Sequence, residues 1–278
     1  MPEKSTFLGH LKIRTVLPIT LLVLAVLILV PIPVLLLDIL TALNLIFAAV
    51  ILITAFCVKN KAQFSLCPAL LLATTLFNAA INISAARLIL SLGADFDGRL
   101  ILFTASWFTG EAGEMAHLTG GAVIFVLILA VHTMLITKGL YRTAEEADAL
   151  TLEDMPAKQQ AIESEHSSGV IGREEHDARK EALQHEAHFY AAMNRAVKLI
   201  SGNELFRILI IAVIIFGGAF VSGLFYGEAA AEEIIDAAKI YIPLVIGNGL
   251  LSIIPAFFVS AAALIIITRA VFGRTITK

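Results

Sequence analysis

Long apolar stretches alternate with short polar ones along this chain, and the alternation is too coarse for strands. Six segments reach the ~20 mostly apolar residues that a spanning helix needs: about 16–37, 39–58, 68–92, 118–137, 206–226 and 240–268. Pro31, Pro33 and Asp38 mark a tight hairpin between the first two, and 93–117 is left as a connection. The one long polar stretch, about 138–205, separates the fourth segment from the fifth. These patterns predict an all-α polytopic membrane protein: a four-span part over 1–137, a helical insert over 138–205 and a two-span part over 206–278.

The insert reads as helices joined by short turns. Thr151 or Asp154 can cap a helix beginning near Pro156, where a missing amide costs little. The run Ser167–Gly169 breaks it. From Arg173 a second helix places Ala178, Ala182, Phe189, Met193, Ala196 and Ile200 on one stripe, and Gly202 offers a stop before the fifth span.

Basic residues orient the spans. Lys4, Lys12 and Arg14, then Lys59 and Lys61, then Lys138 and Arg142, then Arg269, Arg274 and Lys278 all fall on one side. Positive loops stay inside, so both termini and the insert are expected in the cytoplasm. The run Val16–Leu37 is longer than a signal core and lacks a small-residue cleavage site, which predicts an uncleaved first helix.

Polar groups within the spans narrow the chemistry. Thr74, Asn78 and Asn82 recur every four residues and share a face; helix-packing hydrogen bonds of about 0.6–2 kcal/mol and the lining of a conduction path both fit. Arg87 and His132 lie near span ends and read as bland. In span six, Pro243, Gly247, Asn248, Gly249 and Pro255 predict a broken or kinked helix, either around a functional cavity or as a purely structural kink. Span five carries Gly218 and Ser222, then Ala219 and Gly223, at the spacing of close helix contacts.

Composition settles the solvent. At 58% hydrophobic and 15% charged, with mean hydropathy +0.87, the chain is oilier than soluble domains. A net charge of −3 without a basic patch excludes nucleic acid as a partner. Cys57 and Cys67 carry no ligand spacing. Glu181, His185 and His188 could in principle hold a metal but read as a solvated helix face. No nucleophile or phosphate-loop pattern occurs, so neither an enzyme nor a cofactor is expected.

Six pieces taken together resemble a known family. They are Leu36–Leu45 (LLDILTALNL), Pro68–Leu90, Ile136–Arg142 (ITKGLYR), Thr151–Ile162 (TLEDMPAKQQAI), Glu186–Asn203 (EAHFYAAMNRAVKLISGN) and Ile246–Arg269. In this order they are similar to the FHIPEP family, the large export-gate proteins of flagellar and virulence type III secretion. The resemblance implies a bacterial inner-membrane protein in a homo-oligomeric ring of about nine copies, surrounded by lipid and other export-gate membrane proteins. It further implies coupling of proton-motive force to protein export. Arg142, Lys158, Gln159, Phe189, Tyr190, Lys198, Gly202, Gly247, Gly249 and Pro255 stand at family-motif positions.

The departures carry equal weight. The family has acidic residues where Asn203 and Asn248 stand, an Asp where Asn194 stands, and an Arg where Asn78 and Ala149 stand. Glu153 replaces an Asp. An amide cannot ionise, so the two expected proton sites are substituted; Glu153, Glu163, Glu165 and Glu204 are the possible replacement carboxylates. Two further family helices and a docking domain have no counterpart in the sequence. The reading is thus an export-gate ring component, truncated or divergent, with weakened proton coupling. The alternative is a non-transporting scaffold or regulatory subunit that keeps the ring interface.

Overall fold

The computed structural model describes residues 25–57, 67–110, 115–226 and 230–275, and among them every regular element is helical. In chain order these are α1 (Val34–Cys57), α2 (Cys67–Leu92), a short 3-10 turn (Gly93–Asp95), α3 (Arg99–Thr109) and α4 (Met115–Met134). A π segment (Leu135–Leu140), α5 (Tyr141–Ser167), α6 (Arg173–Tyr226) and α7 (Ala230–Thr275) follow. Five helical stretches are long and apolar enough to cross a membrane: 34–57, 67–95, 116–167, 173–220 and 235–269. The apolar windows of α2 and α7 are 56% and 61% buried, against 22% for α1 and 28% for the α4 stretch. The bundle is therefore centred on α2 and α7.

The first expected hairpin falls elsewhere. Residues 16–24 of the expected first span lie outside the described residues; residues 25–29 are helical and the chain breaks over 30–33. The turn is made by Pro31 and Pro33 alone, and α1 starts at Val34. Asp38 is inside α1, and its carboxylate accepts the amides of Arg99 (2.9 Å) and Leu100 (3.4 Å) at the start of α3. Asp38 thus caps a distant helix, a contact of about 1 kcal/mol. Arginines close two other ends: Arg87 donates to the carbonyls of Ile28, Leu29 and Val30, and Arg269 to those of Ala55 and Phe56.

Three expected breaks are absent. The insert's first helix does not begin near Pro156: α5 continues directly from the π segment, and Pro156 lies inside it. Gly202 does not end a helix either, because α6 runs 54 residues from the insert into the membrane. Span six is neither broken nor unwound, since α7 is continuous through Pro243 and Pro255 for 46 residues. The reason is shared: in lipid an opened backbone finds no water, so a continuous helix survives local breakers. Packing of α5 along α6 does the same for Pro156.

Other expectations hold. Ser167 ends α5, Gly169 takes the left-handed φ of 76° that glycine tolerates, and α6 starts at Arg173. Of the predicted stripe, Met193, Ala196 and Ile200 are buried, whereas Ala178 and Ala182 are exposed. Gly218 does make a close contact, its Cα facing the Tyr241 ring of α7.

The glycines of α7 answer to α3, an 11-residue helix within the stretch expected to be a connection. A methyl group on Gly247 would strike the backbone carbonyl of Ile101, and one on Gly249 the ring of Phe125. Gly247 and Gly249 therefore allow close approach of helices.

A buried polar layer as the candidate functional site

Four of the five candidate spans leave one apolar cluster and enter another at a polar residue. The first cluster holds Leu37, Ile81, Phe125, Ile210 and Ile253; the second holds Ala48, Leu71, Ile136, Ile200 and Val259. Between them, in the same chain order, lie Asn44 on α1, Asn78 on α2, His132 on α4, and Glu204 and Arg207 on α6; on α7, Ser252 stands just inside the first cluster, next to Ile253. All six are buried.

These side chains form one connected ladder. Arg207 Nη1 donates to Glu204 Oε2 at 2.6 Å. His132 Nδ1 stands 3.1 Å from the same oxygen and 3.4 Å from Arg207 Nη1. Arg207 Nε donates to Ser252 Oγ at 2.9 Å, and Asn82 Nδ2 donates to that oxygen at 2.6 Å. Asn78 Nδ2 donates to the Ser252 carbonyl at 3.3 Å, and Asn44 Nδ2 to Asn78 Oδ1 at 3.1 Å. Asn248 Nδ2 reaches Asn82 Oδ1 at 3.4 Å.

The spacing explains the geometry. Glu204 and Arg207 are three apart on α6 and so project from neighbouring positions of one face. Asn78 and Asn82, four apart, do the same on α2. Charges of this kind inside a membrane bundle face its interior and pair. Within the ladder four buried atoms remain without a partner: Glu204 Oε1, Arg207 Nη2, His132 Nε2 and Asn44 Oδ1. Glu204 also lines a cavity of about 10 Å3, with Thr74, Thr75, Asn78, Asn203 and Pro255. That is room for one water.

The sequence-predicted residues divide between the layer and the collar. Asn203 and Pro255 line the cavity and Asn248 joins the ladder. Of the substitute carboxylates, Glu204 alone enters the layer. Glu153 is exposed on α5; Glu163 pairs with Lys180 (3.1 Å) and Glu165 with Arg179 (2.6 Å) at the collar tip. Lys180's hydrogen bond and charge, with a smaller contribution from His176, hold the Glu163 carboxyl below its ordinary range. Lys158 lies 3.8 Å from Glu186, Lys198 sits over the Tyr141 ring, and Phe189 packs edge-on against buried Tyr190. Asn194 donates to Asp148. Arg142 and Gln159 are exposed, and Gly202 faces open space. His185 and Glu181 are 3.5 Å apart on an exposed face.

Arg207, Asn44 and Ser252 were not singled out by sequence reasoning, and His132 was read as bland. For Arg207 a signal exists: Glu204-x-x-Arg207 at the threshold of an apolar run is an ion pair written at helical spacing. His132 needs a partner 72 residues away and leaves no local trace.

Comparison with known proteins places this geometry. No solved structure matches the chain at a significant level. Among curated proteins it is 35% identical over 277 residues to the flagellar biosynthesis protein FlhA of Borreliella burgdorferi, covering 97% of this chain and 38% of that protein. To FlhA of Escherichia coli K12 the identity is 34% over 255 residues, 91% of this chain and 36% of that one. To the low calcium response locus protein D of Yersinia pestis it is 35% over 270 residues, 96% and 37%. The chain thus spans little more than a third of the length of these relatives. The FHIPEP family profile matches residues 23–278, and with it the whole polar layer. This five-helix apolar bundle with its long polar hairpin belongs to the FHIPEP family.

Proposed function

We propose that the chain is a bacterial inner-membrane component of a flagellar or type III protein-export apparatus and not an enzyme. The observation that carries this reading is the family match over 23–278, shared by relatives named for flagellar biosynthesis and for the low calcium response. In this reading the membrane contains six spans, the five described and a first one of which residues 25–29 are described. Both termini and the insert face the cytoplasm, as the basic residues require. The divisions at about 137 and 205 separate surroundings, lipid from water, along continuous helices. Copies assemble into a ring of about nine through apolar outer faces, where Val123, Val126 and Leu127 of α4 are exposed.

Proton coupling is weakened at the two substituted positions. Asn248 is fixed in the ladder, and an amide there keeps one hydrogen-bonding pattern at every pH. This favours, as second reading, a scaffold that holds the ring together without driving export. Two measurements test the pair. The mass of the full chain in lipid nanodiscs reads assembly, and a monodisperse monomer there overturns the ring. Proton flux into liposomes under an imposed potential reads coupling: it is expected to be low for the wild type and pH-sensitive for Asn203→Asp with Asn248→Asp. Robust wild-type flux overturns the weakened coupling.

A further inference from the structure

We propose that His132 is a proton-binding site of the membrane spans, taking up a proton on the ring held between Glu204 and Arg207. The proposal rests on the membrane reading above and concerns a residue distinct from the two substituted amides.

The geometry singles out the imidazole. Glu204 and Arg207 form an ion pair at 2.6 Å, so their formal charges cancel while both are ionised. The other rungs, Asn44, Asn78, Asn82, Asn248 and Ser252, are amides and a hydroxyl that do not titrate near neutral pH. Imidazole is the side chain that ordinarily changes charge there.

His132 Nδ1 is also held where it has a partner in either charge state, while Nε2 has none. In the neutral ring one proton serves two nitrogens. Placed on Nε2, it leaves the Nδ1 lone pair to accept from Arg207 Nη1 at 3.4 Å. Placed on Nδ1, it donates to Glu204 Oε2 at 3.1 Å. Uptake of one proton from water makes both nitrogens donors: Nδ1–H turns to Glu204, and Arg207 keeps Glu204 and Ser252 as acceptors. The layer passes from net zero to net +1, and no bond other than N–H is made. The cavity beside Glu204 gives a water access to that carboxylate.

Few other charges face the ring. From α6 come Glu204 and Arg207. From α7 comes the Phe257 ring, its centroid 6.3 Å away, and α7 has no carboxylate or basic side chain between Lys239 and Arg269. α3 carries Arg99, exposed on its first turn, and the π segment carries Lys138, also exposed. The carboxylate and the guanidinium are therefore the charges nearest the ring.

The test is a pH titration by nitrogen-15 NMR of the full chain in lipid nanodiscs, with the seven histidines labelled and the His132 signal assigned by its loss in His132→Gln. The His132 signal is expected to pass from the neutral to the doubly protonated form as the pH is lowered. Glu204→Gln and Arg207→Met are each expected to change that midpoint. A His132 that keeps one protonation state throughout overturns the proposal, as does a midpoint that neither variant moves. If Arg207→Met does not reconstitute, the wild-type and Glu204→Gln titrations decide. The nanodisc mass and the flux assay are read separately, so failure here leaves the ring reading standing, and the reverse.

Discussion

Glu204 and Arg207, three residues apart on α6, close an ion pair in which the side chains are 0% and 2% exposed. Burying two charges is costly, and breaking such a pair from one side leaves the other uncompensated, at about 3–5 kcal/mol. Arg207→Met should therefore destabilise the bundle by that amount. Glu204→Gln with Arg207→Met should recover most of it, since neither charge then remains. Unfolding by denaturing detergent in mixed micelles, followed by circular dichroism, measures both; equal losses in the single and double variants would contradict the pairing.

The glycines give a graded series. Gly247→Ala drives a methyl into the Ile101 carbonyl, which belongs to a backbone and cannot turn aside. A loss of about 1–3 kcal/mol is expected, as for an overpacked core. Gly202→Ala meets nothing within 4 Å and should stabilise α6 by up to about 1 kcal/mol, the helix-propensity difference. The same unfolding assay ranks the two, and a destabilising Gly202→Ala would show that this position needs more than a helix.

Acid should loosen the collar tip. A carboxyl held below its ordinary range in the folded state, as Glu163 is, contributes stability above its unfolded value. That contribution is lost as pH falls through the folded value. Hydrogen exchange at 163–180, corrected for intrinsic rates, should therefore speed up from about pH 5 to about pH 3. Lys180→Met, which removes the larger cause, should flatten the response. Exchange that is flat in the wild type would remove Glu163 from the account.

Topology is open to direct labelling. Ser167 at the collar tip and Ser91 near the far end of α2 are both exposed. A cysteine at Ser91 should react with an impermeant thiol reagent applied to spheroplasts, and one at Ser167 only after lysis. The reverse pattern would invert the orientation drawn from the basic residues.

What the sequence could reveal depended on how far apart the partners lie. The break at Ser167–Gly169 and the start at Arg173 are local, governed by backbone preferences, and are read correctly. Pro156, Gly202 and Pro243 are local signals too, but packing and lipid overrule them and the helices continue. The close contacts of Gly247 and Gly249 are not legible because their neighbours come from α3 and Phe125, and α3 is too short to register as a span. Glu204 is visible as a charge at the edge of an apolar run. Its meaning depends on His132 and Ser252, brought together only by the folded bundle.

The absence of a joint at Gly202 makes α6 a lever. Fifty-four residues of unbroken helix form a rod about 80 Å long. The ion pair sits part-way along it: about 47 Å of arm extends from Glu204 to Arg173 at the wet end and about 33 Å to Tyr226 at the other. A sideways displacement of the tip is thus reduced by about a third at the far face of the membrane, and the force there is raised by about 1.4-fold. With no hinge to absorb it, the pivot of that lever is the layer where the charges lie.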